Sequence, residues 1–244
     1  MNEETNNTPQ LASPEQLAMD ELRPYLLDAS KDYAEPFYML EYNGVPLSPF
    51  GGIQAISGQK KNGKTWLQAI LLAAILGVDS NRVATYLPGL RVPQRTLEHL
   101  GHLPTALYVD TEMEKLSSAK VLRRVHWLCD QNMSQPFPGD RFSVLWLKNM
   151  PSNDGVAVHR KRYDMIRLAV DAIQPDVVFV DGLRDLLSSI NDEESITKIL
   201  NDFGSLAEER NLNIWMALHQ NPSRKNDDDE AKMRGWAGTE FGKK

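Results

Sequence analysis

An α/β fold, with a mainly parallel central sheet flanked by helices on both faces, is what this sequence predicts. Three observations predict it. Short apolar runs suited to strands alternate with longer stretches of helical periodicity. A loop with two glycines and three lysines, Gly58 to Thr65 (GQKKNGKT), stands between the first such run and an apolar helix. Three later runs end in acidic or polar residues, at Asp110 to Glu112, at Asp181 and at His219 to Asn221. Strands this apolar are buried on both faces, as parallel sheets covered by helices require.

Residues 1 to about 12 are polar, Asn-rich and without periodicity, and read as disordered. SPEQ at Ser13 offers an N-cap, a proline at the first helical position and a glutamine at the third, so a short peripheral helix is expected before Leu27. The core is expected to begin near Pro46, with GIQAIS (52 to 57) as its first strand and 65 to 77 as its first helix. Residues 78 to 104 form a mixed insertion with three prolines. After it come a strand at 105 to 110, a helix at about 114 to 132 and a strand at 142 to 147. A helix at 158 to 173, the strand DVVFVD (176 to 181), a helix at 193 to 210 and a strand at 212 to 218 complete the series. The expected organisation is thus an acidic, partly disordered extension over 1–40 and one α/β core over 41–244.

The composition, 41% hydrophobic and 25% charged, excludes collagen-like and wholly disordered chains. Of 33 acids and 27 bases, residues 1–36 hold eight and two, which leaves the body neutral with 25 of each. Overall acidity therefore does not decide for or against a nucleic-acid partner, because a local basic groove can sit on a neutral body. No apolar run reaches the roughly 18 to 20 residues that span a bilayer. MNEETNNTPQ is also unlike a secretory signal, so a cytoplasmic location with no membrane partner is expected. The single cysteine, Cys129, reads as a small buried side chain, and Trp127, Trp146 and Trp215 read as core.

The chemistry begins at the glycine-rich loop. In a Walker A loop, backbone N–H groups and a helix N-terminus cradle phosphates, a lysine neutralises them and a hydroxyl ligates Mg²⁺. Gly58, Gln59, Lys60, Lys61, Asn62, Gly63, Lys64 and Thr65 fill those positions, which makes ATP and Mg²⁺ the expected cofactors. Asp181 ends an apolar strand at the sheet edge where open α/β sheets bind ligands, and a carboxylate there can hold the metal. Glu112 suits a general base for the attacking water, or else a helix-start residue complementing a dipole. His219 and Gln220 suit sensors of the γ-phosphate, or strand-terminal turn residues.

Together these segments resemble the RecA-like branch of P-loop ATPases. The spacing of Asp110, Thr111 and Glu112 matches that family's acidic, small, catalytic-glutamate series, and the resemblance implies that Glu112 is the catalytic carboxylate. It likewise implies that Asp181 is the Walker B aspartate, and that His219 and Gln220 couple nucleotide state to DNA-binding loops. FVDGLRDL, LHQNPS and MRGWAGTEFGKK resemble more closely the RepA-like hexameric helicases of bacterial plasmids and mobilisable elements. That likeness implies a homo-oligomeric ring acting on single-stranded DNA. Ring-forming relatives complete the site with a basic residue from the next subunit, for which Arg234, Lys243 and Lys244 are candidates. RecA-like cores usually continue past this point, so a core incomplete after Lys244 is expected. Two other readings remain open, a nucleotide-controlled binding protein with little turnover and a small-molecule kinase.

Overall fold

The computed structural model describes residues 13–59, 62–77, 80–151, 155–188 and 193–219. The chain falls into two compact units, 1–35 and 36–244. In the first, helix α1 (Pro14–Leu22) starts on the capping box foreseen at Ser13: its hydroxyl accepts from the Gln16 N–H, and the Gln16 side chain accepts from the Ser13 N–H. A 3-10 turn at Arg23–Tyr25 follows. No side chain of α1 is buried.

The second unit starts its core earlier than Pro46, and that expectation is corrected. Met39 and Leu40 are fully buried. Strands β1 (Glu41–Tyr42) and β2 (Val45–Pro46) form a hairpin across Asn43–Gly44, both residues at positive φ, as the tight turns with the right twist require. The large sheet opens with β3 (Ile53–Gly58), followed by helix α2 (Lys64–Leu76). The insertion resolves into helix α3 (Asn81–Tyr86), strand β4 (Leu90–Arg91), which pairs with β1, and helix α4 (Gln94–Leu100). Then come β5 (Ala106–Asp110), α5 (Lys115–Leu128) and β6 (Phe142–Trp146). The chain continues through α6 (Val158–Ile173), β7 (Val177–Asp181), a 3-10 turn (Leu183–Leu186), α7 (Glu193–Arg210) and β8 (Asn213–His219).

All five strands of the large sheet are parallel, in the order β3-β8-β7-β5-β6. Right-handed crossovers dictate where the helices go. The chain moves one way across the sheet from β3 to β5 and β6, then turns back to β7 and β8. Helices α2 and α5 therefore cover one face, and α6 and α7 the other. Both central strands are buried throughout, and their residues alternate between the two cores. Tyr108, Val177 and Phe179 face α2 and α5, while Leu107, Val109, Val178 and Val180 face α6 and α7. This period of two places Asp110 and Asp181, each two residues beyond an inward aromatic, on the α2 side.

Helix α2 buries every residue from Gln68 to Leu76. Gln68 is the exception in chemistry, because both polar atoms of its fully buried amide have no hydrogen-bond partner among the described residues. A buried unsatisfied amide costs about 1–3 kcal/mol. Gln68→Met is therefore expected to raise stability by about 1 kcal/mol or more, read as a higher urea midpoint with an unchanged slope. An unchanged or lowered midpoint would show that the amide is satisfied in solution.

Candidate active site

The glycine-rich loop runs from the end of β3 into α2 through Gly63, whose φ of +77° is the left-handed conformation that the turn into the helix needs. Helix α2 begins at Lys64, so its first N–H groups face the loop. The Lys64 ammonium donates to the carbonyls of Gly58 at 2.7 Å and Gln59 at 3.0 Å. Partial burial lowers its pKa, and the charges of Asp181 and then Glu112 oppose that shift. Lys60 and Lys61 lie outside the described residues.

Asp181 ends β7 directly beside Asp110 of β5 in the register of the sheet. Its Oδ2 accepts two hydroxyls, Tyr108 at 2.9 Å from below and Thr65 at 3.2 Å from the start of α2. Burial pushes the Asp181 pKa up, the two hydroxyl hydrogen bonds pull it down, and the Asp110 and Glu112 charges push it up again. Burial and the Asp181 charge also hold the Tyr108 phenol well above its usual range, so Tyr108 stays a donor. Among the described residues no cationic side chain lies at ion-pair distance from Asp181. A buried carboxylate joined to a hydroxyl and lacking a cation is a donor set that fits a hard divalent ion such as Mg²⁺. Thr65 and Asp181 are the residues that would hold it.

Glu112 sits in the bend after β5, three residues before α5 begins, so it is not a helix-start residue. Its position is set by neighbours. Asp110 Oδ1 accepts from the N–H groups of Glu112 at 3.0 Å and Met113 at 2.8 Å, and Oδ2 accepts from the Ser118 hydroxyl at 2.5 Å. The Thr111 hydroxyl donates to the Gly182 carbonyl at 2.8 Å, and the Trp146 indole N–H to the Met113 carbonyl at 2.9 Å. Glu112 itself is exposed. Its carboxylate acts electrostatically on Lys64, Asp181 and Asp185 alike. Asp110, by contrast, is fully buried and spends its oxygens on shaping this bend.

Strand β8 lies between β3 and β7, and its last residue, His219, pairs in register with Gly58. The strand foreseen to carry the sensors therefore ends against the phosphate loop. Gln220, Arg234, Lys243 and Lys244 lie outside the described residues. Four residues of the site had gone unread: Tyr108, Ser118, Trp146 in its hydrogen-bonding role, and Gly182. Gly182 has φ +101°, and a Cβ there would stand 2.3 Å from Thr111 Oγ1. The dipeptide Asp-Gly after an apolar run was the available signal. One further correction concerns Trp127, which is 37% exposed where a core position was expected. Trp215 is buried, as is Cys129, whose thiol burial pushes up to about 12.

A parallel sheet, a lysine- and threonine-bearing loop at a helix start and a buried carboxylate beside it are now in place. The AAA domain family matches residues 21–225, most of the chain. This chain belongs to that family. The AAA domain is a nucleotide-binding P-loop ATPase module. A KaiC-like protein from the hyperthermophilic archaeon Pyrococcus horikoshii is similar in structure, with a TM-score of 0.44 and 14% identity over 79% of this chain and 70% of that one. Comparison with curated proteins finds no match. Among the described residues, no helix is long and apolar enough to cross a membrane.

Two outcomes follow from this AAA domain's geometry. Because the folded pKa of Asp181 is raised, the folded chain binds more protons than the unfolded one above the ordinary carboxylate value. Stability without ligand then falls as pH rises through the folded pKa. Asp181→Asn removes this loss, so the variant's Tm should gain on the parent's as pH rises above the ordinary carboxylate range and level off once Asp181 is ionised. A constant difference in Tm would contradict it. Gly182→Ala should destabilise the domain by about 1–3 kcal/mol in urea unfolding, through the forced left-handed conformation and the clash with Thr111.

Proposed function

We propose that this AAA domain binds ATP with Mg²⁺, hydrolyses it, and works as a ring-forming DNA motor or helicase in plasmid or mobile-element replication. The observation that carries the hydrolytic part is the clamped backbone of Glu112, which precedes α5 and whose charge acts on Lys64 and Asp181. Lys64 and the first N–H groups of α2 hold the phosphates. Glu112 orients the attacking water and takes its proton as the bond between the β- and γ-phosphoryl groups breaks, releasing ADP and phosphate. Bound Mg²⁺ supplies neutralisation of phosphate charge at Thr65 and Asp181. His219 and Gln220 follow the nucleotide state, and Arg234, Lys243 or Lys244 of an adjacent copy completes the charge.

The DNA-directed part is supported by the likeness of FVDGLRDL and LHQNPS to ring helicases and by Arg184, exposed three residues beyond Asp181 at the same sheet edge. A second reading, nucleotide-controlled binding of a partner with little turnover, draws on residues 13–35, where Tyr25 and Leu27 are 81% and 85% exposed. One experiment separates the two. ATP turnover is measured with and without single-stranded DNA, alongside the molecular mass in solution. The motor predicts Mg²⁺-dependent turnover raised by DNA in an oligomer, with Glu112→Gln lowering kcat by about 10²–10⁴-fold and Lys64→Ala weakening nucleotide binding. Oligomerisation driven by ATP, with negligible turnover and no DNA response, selects the second reading.

A further inference from the structure

Next to the phosphate loop lies a group of side chains that the hydrolytic chemistry does not use. Trp66 directly follows Thr65 on α2, and the guanidinium of Arg124, from α5, lies over its ring at 4.4 Å from the centroid. Tyr86 of α3 meets the Trp66 ring edge-on at 5.7 Å, and Trp127 continues the line at 6.4 Å from Tyr86. Tyr86 and Trp127 are 42% and 37% exposed, so the aromatic row reaches the surface.

The charge of Arg124 is the unusual feature. Helix α5 carries Lys115, Lys120, Arg123 and Arg124 and no acid. Among the described residues Arg124 has no carboxylate at ion-pair distance, and its guanidinium lies on the Trp66 ring. Its field nevertheless reaches the site, where it opposes the upward shift of Tyr108 beneath Asp181. A planar guanidinium stacked on one aromatic ring presents a second flat face to another π system. An arginine so placed is built for a ligand that is both flat and attached to negative charge.

Position selects that ligand. Thr65 turns toward Asp181, the γ-phosphate end of the site, whereas Trp66 stands one helical step round on the flank facing α3 and α5. A nucleotide whose phosphates lie on the first turn of α2 carries its base one ribose beyond the α-phosphate. We propose that Trp66 and Arg124 form the base-binding end of the nucleotide site, with the base stacked on the guanidinium that Trp66 supports. This rests on the phosphate-loop reading above and adds the recognition of the base to it. Stacking of this kind reads ring area rather than the hydrogen-bonding edge. The site should therefore favour purine over pyrimidine nucleotides and discriminate weakly between ATP and GTP.

The test compares a ligand that has a base with one that lacks it. Dissociation constants for ATP, GTP, CTP and inorganic triphosphate are measured by calorimetry on the full chain with Mg²⁺. Arg124→Ala and Trp66→Ala should weaken ATP by about tenfold or more and leave inorganic triphosphate within about twofold. Trp66→Phe should keep most of the ATP affinity, whereas Arg124→Lys, which retains the charge but not the plane, should lose it. Thermal unfolding checks each variant, and if Trp66→Ala does not fold, the Arg124→Lys and Trp66→Phe pair decides the question. Equal weakening of ATP and triphosphate by Arg124→Ala would make Arg124 a phosphate cation and overturn the proposal. So would unchanged ATP affinity in both arginine variants, or CTP bound as tightly as ATP by the parent. Lys64→Ala separates the two levels of the reading: it should weaken ATP and triphosphate alike, and if it weakens neither, the phosphate loop itself has been misread.

Discussion

The buried carboxylate of Asp181 is the constraint around which this molecule is arranged. A parallel strand covered on both faces carries it out of water, which raises the free energy of its charged form. The fold answers with hydroxyls rather than cations, Tyr108 from the neighbouring strand and Thr65 from the start of α2. Two neutral donors keep the carboxylate oriented without discharging it. A salt bridge at the same place would satisfy Asp181 fully and remove its attraction for a metal. The arrangement gives up stability in the unliganded state and leaves a donor set that a cation would complete, a trade common at functional sites.

The same edge explains why Glu112 can be both exposed and fixed. Three segments meet there, from β3 and α2, from the bend after β5, and from the turn after β7. They meet because parallel strands all deliver their carboxyl ends to one side. The bend is held by Asp110 from within, by Thr111 against Gly182 and by Trp146 across the edge strand β6. Gly182 is essential to that closeness, since any side chain on it would occupy the place of the Thr111 hydroxyl. A carboxylate on an unsupported loop would spread over many positions. Here the backbone bearing it is bonded on three sides.

Much of this was legible because the signals were local. The strand DVVFVD, the loop GQKKNGKT and the helix boundaries at 158, 173, 193 and 210 follow from apolar runs and periodicity. The β1–β2 hairpin was equally local, since Asn-Gly between short apolar flanks encodes such a turn, but strands of two residues leave no alternation to count. Tyr108 could not be read in the same way. A tyrosine inside an apolar strand looks like core, and its hydroxyl acquires a role only when β5 and β7 pair in the register that sets Asp110 beside Asp181. Trp127 failed for the opposite reason. It lies in a run that reads as apolar, yet it faces outward, where Arg82 covers its ring at 4.8 Å. Burial depends on tertiary neighbours that periodicity does not name.

Charge at the site points beyond the groups that touch the phosphates. Asp110, Glu112 and Asp181 converge on the strand ends, and Lys64 is the cation that faces them from the loop. The ammonium is already engaged with the Gly58 and Gln59 carbonyls, which fixes its place but weakens the field it offers outward. A triphosphate brings still more negative charge to this edge. Peptide dipoles at the start of α2 offset part of it, at the equivalent of about half an elementary charge. A divalent cation held by Thr65 and Asp181 would offset the largest share, which leaves Arg124, on the α5 side, for the base. The reach of Arg124 into the site gives the acid-free face of α5 a purpose that packing alone does not. Lysines and arginines on an exposed helix need no carboxylate, but one that leaves water to lie on a tryptophan beside a phosphate loop forgoes hydration for something. Stacking against the Trp66 ring compensates in part. The remaining compensation comes when a base occupies the other face, which ties base affinity to an arginine that the phosphates do not need.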